Sequence, residues 1–412
     1  MVRRSVLDLT PLRISRDFRL LWFGELVSHT GRMITLVALP YQVYEVTRSA
    51  LAVGLIGLVQ LVPLVLFSLV GGAVADAMDR RRLLLLSQTG SMAATLLLVG
   101  GAMVDRPALW FLYLAAGLSS AASAFDAPTR SAAIPNLVPK DRLASAIALN
   151  QLLFQVNDVA GPAIAGLIIA RFGLVWAYAI DAVTFLAAIA ALLAMHPMPS
   201  EHEGPRPQIF RAVREGFAYL KGRRVLRSTF LVDLNAMVFG MPRALFPVLA
   251  REAFRVGPAG LGLLYAAPAA GALLGALFTG WVRHVRHQGR AVLWAVAAWG
   301  AAIIGFGFST ATFWLALVFL AVAGGADVIS AIFRSTILQS SVPDSLRGRL
   351  SSIHIMVVVG GPRLGDLEAG VVAQLTSPVF SVVSGGVACL VGVAVLALIV
   401  PQLRRYHAGE PA

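Results

Sequence analysis

SVVSGGVACLVGVAVLALIV, residues 381–400, carries no ionisable acid or base apart from one thiol. A helix needs roughly 20 such residues to cross the hydrocarbon core of a bilayer, which is about 30 Å thick. Backbone amides find no water there, so a long apolar run of this kind predicts a helix. Just before it stands GGPRLGDLEAG, residues 360–370, with Arg363, Asp366 and Glu368, and before that the apolar IHIMVVV, 353–359. The stretch from Leu350 to Val359 is too short to span alone, which rules out a loop at 360–370. A helix begun near Leu350 puts Arg363 about 20 Å in, close to mid-membrane. Arg363 and Asp366 are i, i+3 neighbours and can pair on one face, while Glu368 points elsewhere. Gly360, Gly361, Gly365 and Gly370 with Pro362 predict a loosened backbone and close contact with another helix. Two accounts stay open: a structural ion pair, or a group that attracts an anionic molecule.

The rest of the chain extends this reading. Of 412 residues 58% are hydrophobic and 13% charged, against about 25% charged in a soluble domain. The net charge of +13 comes from short clusters between apolar runs, which fits a bilayer and no nucleic acid. Only Lys140 and Lys221 are lysines, and Cys389 is the single cysteine, so no intrachain disulfide or cysteine metal site is expected. The polar N-terminus is followed by no small-residue cleavage site, so no cleaved signal peptide is expected. His284-x-x-His287 lacks a third ligand nearby, and no nucleotide loop or hydrolase triad stands out. No cofactor and no metal are expected, and the protein is read as a monomer and not an enzyme.

The expected fold is an all-α membrane protein of about twelve spans. They run 19–43, 50–73, 83–104, 108–127, 144–169, 174–195, 228–250, 259–282, 291–310, 313–333, 350–374 and 379–400. With a cytoplasmic N-terminus, loops on that side carry Arg80–Arg82, Arg130, Lys140, Arg142, the Arg206–Arg227 cluster, Arg283, Arg286, Arg290, Arg334, Arg347 and Arg349. The other side holds Arg48, Arg106, Arg171, Arg251 and Arg255. This asymmetry predicts that both termini are cytoplasmic. Residues 1–195 and 228–412 read as two six-helix bundles. Between them, 196–227 begins as a proline-rich linker. It continues as a basic amphipathic surface helix with Phe210, Val213, Phe217 and Leu220 on one face.

The halves repeat. RLLWFGEL (19–26) matches RSTFLVDL (227–234), pairing Glu25 with Asp233, and Gly72 pairs with Gly280 at the same offset. Arg130-Ser131 followed by Val138-Pro139 recurs as Arg334-Ser335 followed by Val342-Pro343. Parallel six-helix repeats are the architecture of a rocking-type secondary transporter.

GGAVADAMDRRRLLL (71–85) resembles the signature loop of the major facilitator superfamily, with Gly72, Asp76, Arg80 and Arg81 in its places. Ala77 stands where a basic residue is usual and Asp79 where glycine is usual. FDAPTRSAAIPNLVPKDRLASAIALN (125–150), read as the next loop, resembles the subgroup of the enterobactin exporter and related drug:proton antiporters. So do IFRAVREGFAYLKGRRVLRS and TILQSSVPDSLRGRLSS. VAGPAIAG (159–166) is similar to an antiporter motif, as Gly161, Pro162 and Gly166. Small residues there permit close packing, and the proline predicts a bend. The resemblance implies a conformational switch at Asp76 and its arginines, and a cavity lined by the first, fourth, seventh and tenth spans.

Ionisable groups at membrane depth are functional candidates. Glu25, His29 and Arg32 follow i, i+4, i+7 spacing on the first span, and Gln151, Gln155 and Asp158 do so on the fifth. Asp233 and Arg243 lie on the seventh, and Asp181 and Asp327 are lone acids. A Glu–His–Arg face can gain or lose one proton without leaving a bare charge, so Glu25, His29, Asp158 and Asp233 are proton-coupling candidates. Arg32, Arg243, Arg363 and Asp366 are substrate-binding candidates. The alternative for each is a static ion-paired network. Together these features predict an exporter of the bacterial cytoplasmic membrane, moving a siderophore-like or drug-like molecule, anionic in one reading, outward by proton antiport. A proton-coupled nutrient importer, or a membrane-embedded receptor or enzyme, is the alternative.

Overall fold

The computed structural model describes residues 8–199, 215 and 218–407. Side chains at 68–73, 75–77, 344–349, 351–352 and 354–355 fall outside the described residues. Phe210, Val213 and Phe217 of the expected surface helix therefore lie outside them, as do the side chains of Gly72 and Asp76. The described chain is helical. We number the longer helices α1 (Arg16–Thr47), α2 (Ala50–Ala77), α3 (Arg80–Ala102), α4 (Leu109–Ser123), α5 (Asp126–Leu137), α6 (Leu143–Leu193), α7 (Arg224–Phe239), α8 (Gly257–Leu277), α9 (Gln288–Phe308), α10 (Phe313–Ser341), α11 (Asp344–Leu375) and α12 (Pro378–Ile399).

Eight described segments are long and apolar enough to cross a membrane. They include α3, α8, α9, α10 and α12. The long segment Lys140–Leu193 counts once among them, although Gly173 (φ 83°) takes its backbone out of the helix. A left-handed φ favours glycine there, and each arm flanking it has the length to span. Helices α1 and α11 are absent from the eight because they carry Glu25, His29 and Arg32, or Arg363, Asp366 and Glu368.

The chain divides into two compact units, Met1–Val46 with Val59–Arg206, and Thr47–Leu58 with Pro207–Ala412. In each half of the sequence repeat, the turn after the first helical span uses an arginine in the left-handed region, Arg48 (φ 53°) and Arg255 (φ 56°), both within the second compact unit. A non-glycine residue rarely adopts that conformation, so the repeat extends to backbone geometry.

Three sequence expectations need correction. Residues 125–150 are not a loop, because α5 occupies Asp126–Leu137 and α6 begins at Leu143. Arg130 and Arg334 are not loop charges; they lie within α5 and α10 and are each 4% exposed. The third correction concerns the 228–250 span, which is not one helix. Helix α7 ends at Phe239, and the chain continues as a 3-10 turn Arg243–Leu245, a short helix Phe246–Val248 and a π turn Leu249–Ala253. Pro242 removes a donor and clashes with a preceding carbonyl, which breaks the ladder.

Packing in the second unit relies on small residues. A side chain added at Gly271 of α8 would run into the Ala321 backbone of α10. Lipid tails are as apolar as leucine, so close backbone contact supplies much of the attraction between such helices. We expect Gly271→Leu to lower the detergent-solubilised melting temperature by several degrees, the effect of about 1–3 kcal/mol of overpacking. An unchanged melting curve would show that α8 and α10 are not held at this spacing.

Candidate ion-pair centres

In the first unit, the i, i+4, i+7 row on α1 brings Glu25, His29 and Arg32 together. Glu25 is 2% exposed and forms ion pairs with Arg32 and with Arg130 of α5. Arg130 also clamps Asp126, one turn before it, at 3.0 and 3.1 Å through the same nitrogen. Arg32 reaches Asp126 at 3.9 Å, and its Nη2 lies 3.2 Å from His29 Nδ1. The other ring nitrogen of His29 lies 3.4 Å from Asp158 Oδ1 on α6. Gln88 of α3 donates to Asp126 at 2.9 Å. Three carboxylates thus meet two guanidiniums and one imidazole. Such a set is charge-balanced with one additional proton, on His29 or on a carboxylate, so it can be loaded and unloaded at low electrostatic cost.

Arg130, Asp126 and Gln88 were not among the site candidates from sequence. The signal was present in the repeat: Glu25 matches Asp233 and Arg130 matches Arg334. The second unit uses the same pairing, with Arg334 of α10 2.8 Å from Asp233 of α7. There Ser330 occupies the place one turn back and accepts from Arg334 at 3.0 Å, while Asp327 lies at 3.8 Å. Arg243 lies within electrostatic reach of Asp327, and no histidine is seen in this set among the described residues.

Asp366 has a backbone role. Its Oδ1 accepts from the Ala244 N–H at 3.1 Å, one of the groups around the break after α7. Trp299 donates its indole N–H to the Gly240 carbonyl at 2.8 Å, and Tyr265 donates to the Arg243 carbonyl at 3.2 Å. Irregular backbone at membrane depth survives only when its polar groups are satisfied by protein. Arg243 and Arg363 both lie within electrostatic reach of Asp366. Helix α11 stays continuous through Pro362, and a side chain at Gly365 would meet the Met237 and Val238 carbonyls at 2.6 and 2.7 Å. The glycine-rich stretch therefore seats α11 against α7.

In the motif regions, Arg81 donates to the Leu192 and Leu193 carbonyls, both at 2.7 Å, and Arg80 to the Ala132 carbonyl at 2.9 Å. The Arg81 bonds help satisfy two of the last carbonyls at the C-terminal end of α6. Asp79, where the superfamily pattern has glycine, caps α3 by accepting from Arg82 N–H at 2.9 Å. Gly161 lies so close to Met33 of α1 that a side chain would collide with it, and Pro162 and Gly166 are buried beside it. The backbone remains helical at Pro162 and departs at Gly173, so the non-helical turn falls after the motif.

Comparison with known proteins follows the same lines. Residues 7–410 match the family model described as transmembrane secretion effector. The chain is 27% identical over 407 residues to the enterobactin exporter EntS of Shigella boydii serotype 18, covering 98% of this chain and 97% of the relative. The same protein of Escherichia coli strain SMS-3-5 gives the same identity and coverage. Among solved structures, the nucleoside transporter NupG superposes with a TM-score of 0.78 at 13% identity, covering 94% of this chain and 99% of that one. A bacterial homologue of the iron transporter ferroportin in an inward-facing state gives 0.71 at 15% identity, with 94% and 98% covered. These likenesses show the fold.

Proposed function

Since the chain belongs to the transmembrane secretion effector family, a group of major facilitator superfamily transporters and not enzymes, we propose that it exports a small organic molecule across the bacterial inner membrane by proton antiport with alternating access. The observation that supports this best is Glu25, buried between Arg32 and Arg130 with His29 and Asp158 attached. Protonation of Glu25 or its neighbours weakens the ion pairs that hold α1 to α5. A proton thereby changes the balance between conformations in the way coupling requires. Asp233 and Arg334 form the corresponding ion pair in the second unit.

In this reading the chain crosses the membrane twelve times, works as a monomer, and has both termini in the cytoplasm. The asymmetry of the remaining loop arginines supports that orientation without Arg130 and Arg334. Gly72 and Asp76 on α2 and Arg80 and Arg81 on α3 form the switch, and Gly161, Pro162 and Gly166 hold α6 close to α1. The cargo is siderophore-like and anionic, attracted by Arg32, Arg243 and Arg363, since guanidinium forks suit carboxylates and phenolates.

Everted membrane vesicles with an acid interior test the whole reading, with enterobactin as the probe. We expect accumulation that nigericin abolishes; uptake confined to right-side-out vesicles would instead establish an importer. In the same assay Arg363→Gln should reduce accumulation of the anionic probe about tenfold, the worth of roughly 1.4 kcal/mol of lost attraction. The Arg363→Gln, Asp366→Asn pair should remain equally impaired. Restored transport in the pair would assign Arg363 to a structural ion pair.

A further inference from the structure

Glu25 is buried, so a proton-coupled cycle needs a way for protons to leave it for the cytoplasm. Two features of the first unit that the coupling set does not use lie along one line toward the Arg80–Arg82 end of the bundle. The first is a small cavity of about 10 Å³ bordered by Leu21, Gly24, Glu25, Gln88, Arg130 and Leu192, the size that holds a single water. Gln88 is 1% exposed, and while its Nε2 donates to Asp126, its buried Oε1 has no partner among the described residues. A buried acceptor of this kind calls for a donor, and a water beside Gln88 and Glu25 supplies one.

The second feature is a pair at the start of α1. His196 Nδ1 lies 2.9 Å from Asp17 Oδ2, with the imidazole 75% exposed and the carboxylate 17% exposed. The other oxygen of Asp17, Oδ1, is buried without a partner among the described residues. Asp17, Leu21 and Glu25 follow one another at four-residue steps, the ridge of a helix surface, and Asp17 lies about 12 Å before Glu25 along α1. Leu21 and Leu192, 4% and 3% exposed, form the apolar stretch between the pair and the cavity.

We propose that this ridge is the proton-exit path of the first unit, with a cavity water as the first carrier from Glu25, Asp17 as relay and His196 as the group that releases the proton to the cytoplasm. The proposal rests on the proton-antiport reading. In the first step the O–H bond of protonated Glu25 breaks as an O–H bond forms on the cavity water. That water, moving past Leu21 and Leu192, gives up one proton to the Asp17 carboxylate and is neutral again. Asp17 then passes the proton to neutral His196, and the imidazolium loses it to cytoplasmic water. One proton moves at each step, and nothing is oxidised or reduced. The charged groups that face Glu25 are Arg32 and His29 on α1 and Arg130 on α5, with Asp126 against both arginines. Asp17 faces His196.

The test is time-resolved infrared spectroscopy of the full-length protein in lipid after an alkaline pH jump, following the carboxyl band that Glu25→Gln removes. His196→Ala and Asp17→Asn should each slow the decay of that band about tenfold or more, the loss of a positioned proton carrier, without moving its equilibrium midpoint. Added imidazole should restore the rate in His196→Ala. Ala188→Leu, which fills the cavity wall, should slow the decay without rescue by imidazole. If everted vesicles show no nigericin-sensitive accumulation, the antiport reading falls and the path with it; if they do and no titrating band is removed by Glu25→Gln, the path alone is overturned. If the band titrates and His196→Ala and Asp17→Asn keep the original rate, the path alone is overturned.

Discussion

Arg130→Gln is expected to abolish efflux and to destabilise the protein by about 3–5 kcal/mol, the cost of removing one member of a buried ion-paired set. The Arg130 side chain is 5% exposed and contacts both Glu25 and Asp126. Without it two buried carboxylates share Arg32, which already serves Glu25 and reaches Asp126 at 3.9 Å. Gln88 can still donate to Asp126 but brings no charge. The measurement is a thermal melt in detergent beside vesicle efflux at matched protein amounts. Adding Glu25→Gln should recover part of the lost stability, because it removes one of the stranded charges, and should leave efflux absent. A melt for Arg130→Gln within error of the unaltered protein would show that these carboxylates do not depend on Arg130.

Glu25→Gln alone is expected to reduce proton-driven efflux by about a hundredfold, the scale on which a positioned proton-transfer group acts. The amide keeps the shape and one acceptor but cannot lose a proton. Exchange of probe across the membrane without a pH gradient should persist, since it needs the conformational change and no net proton movement. Asp233→Asn should have the milder effect on coupling, because the described partners of Asp233 are Arg334 and its neighbours, with no imidazole among them. Both variants are compared in the same vesicles, with and without an imposed gradient. Equal losses in gradient-driven efflux and in exchange would mean that Glu25 holds structure and does not carry the proton.

Much of this protein is settled by local sequence. Apolar runs such as 381–400 are helical because lipid offers no other partner for their backbone groups. The spacing of Glu25, His29 and Arg32 puts them on one face of whatever helix they occupy, since side chains four or seven residues apart share a face. Gly173 marks its own break, and the repeat marks Arg130 and Arg334 as equivalent. What periodicity does not carry is which helix packs against which, and at what height. Arg130 read as a loop charge because composition alone places arginine outside the membrane; only the packing of α5 on α1 makes Glu25 its partner. Asp366 keeps Arg363 within electrostatic reach, as the spacing predicts, but its backbone partner could not be read from the spacing. The break at Pro242 frees backbone groups far away in the chain, and the approach of α11 to α7 lets Asp366 satisfy one of them. Burial makes each such group seek a partner, and tertiary packing determines which one it finds.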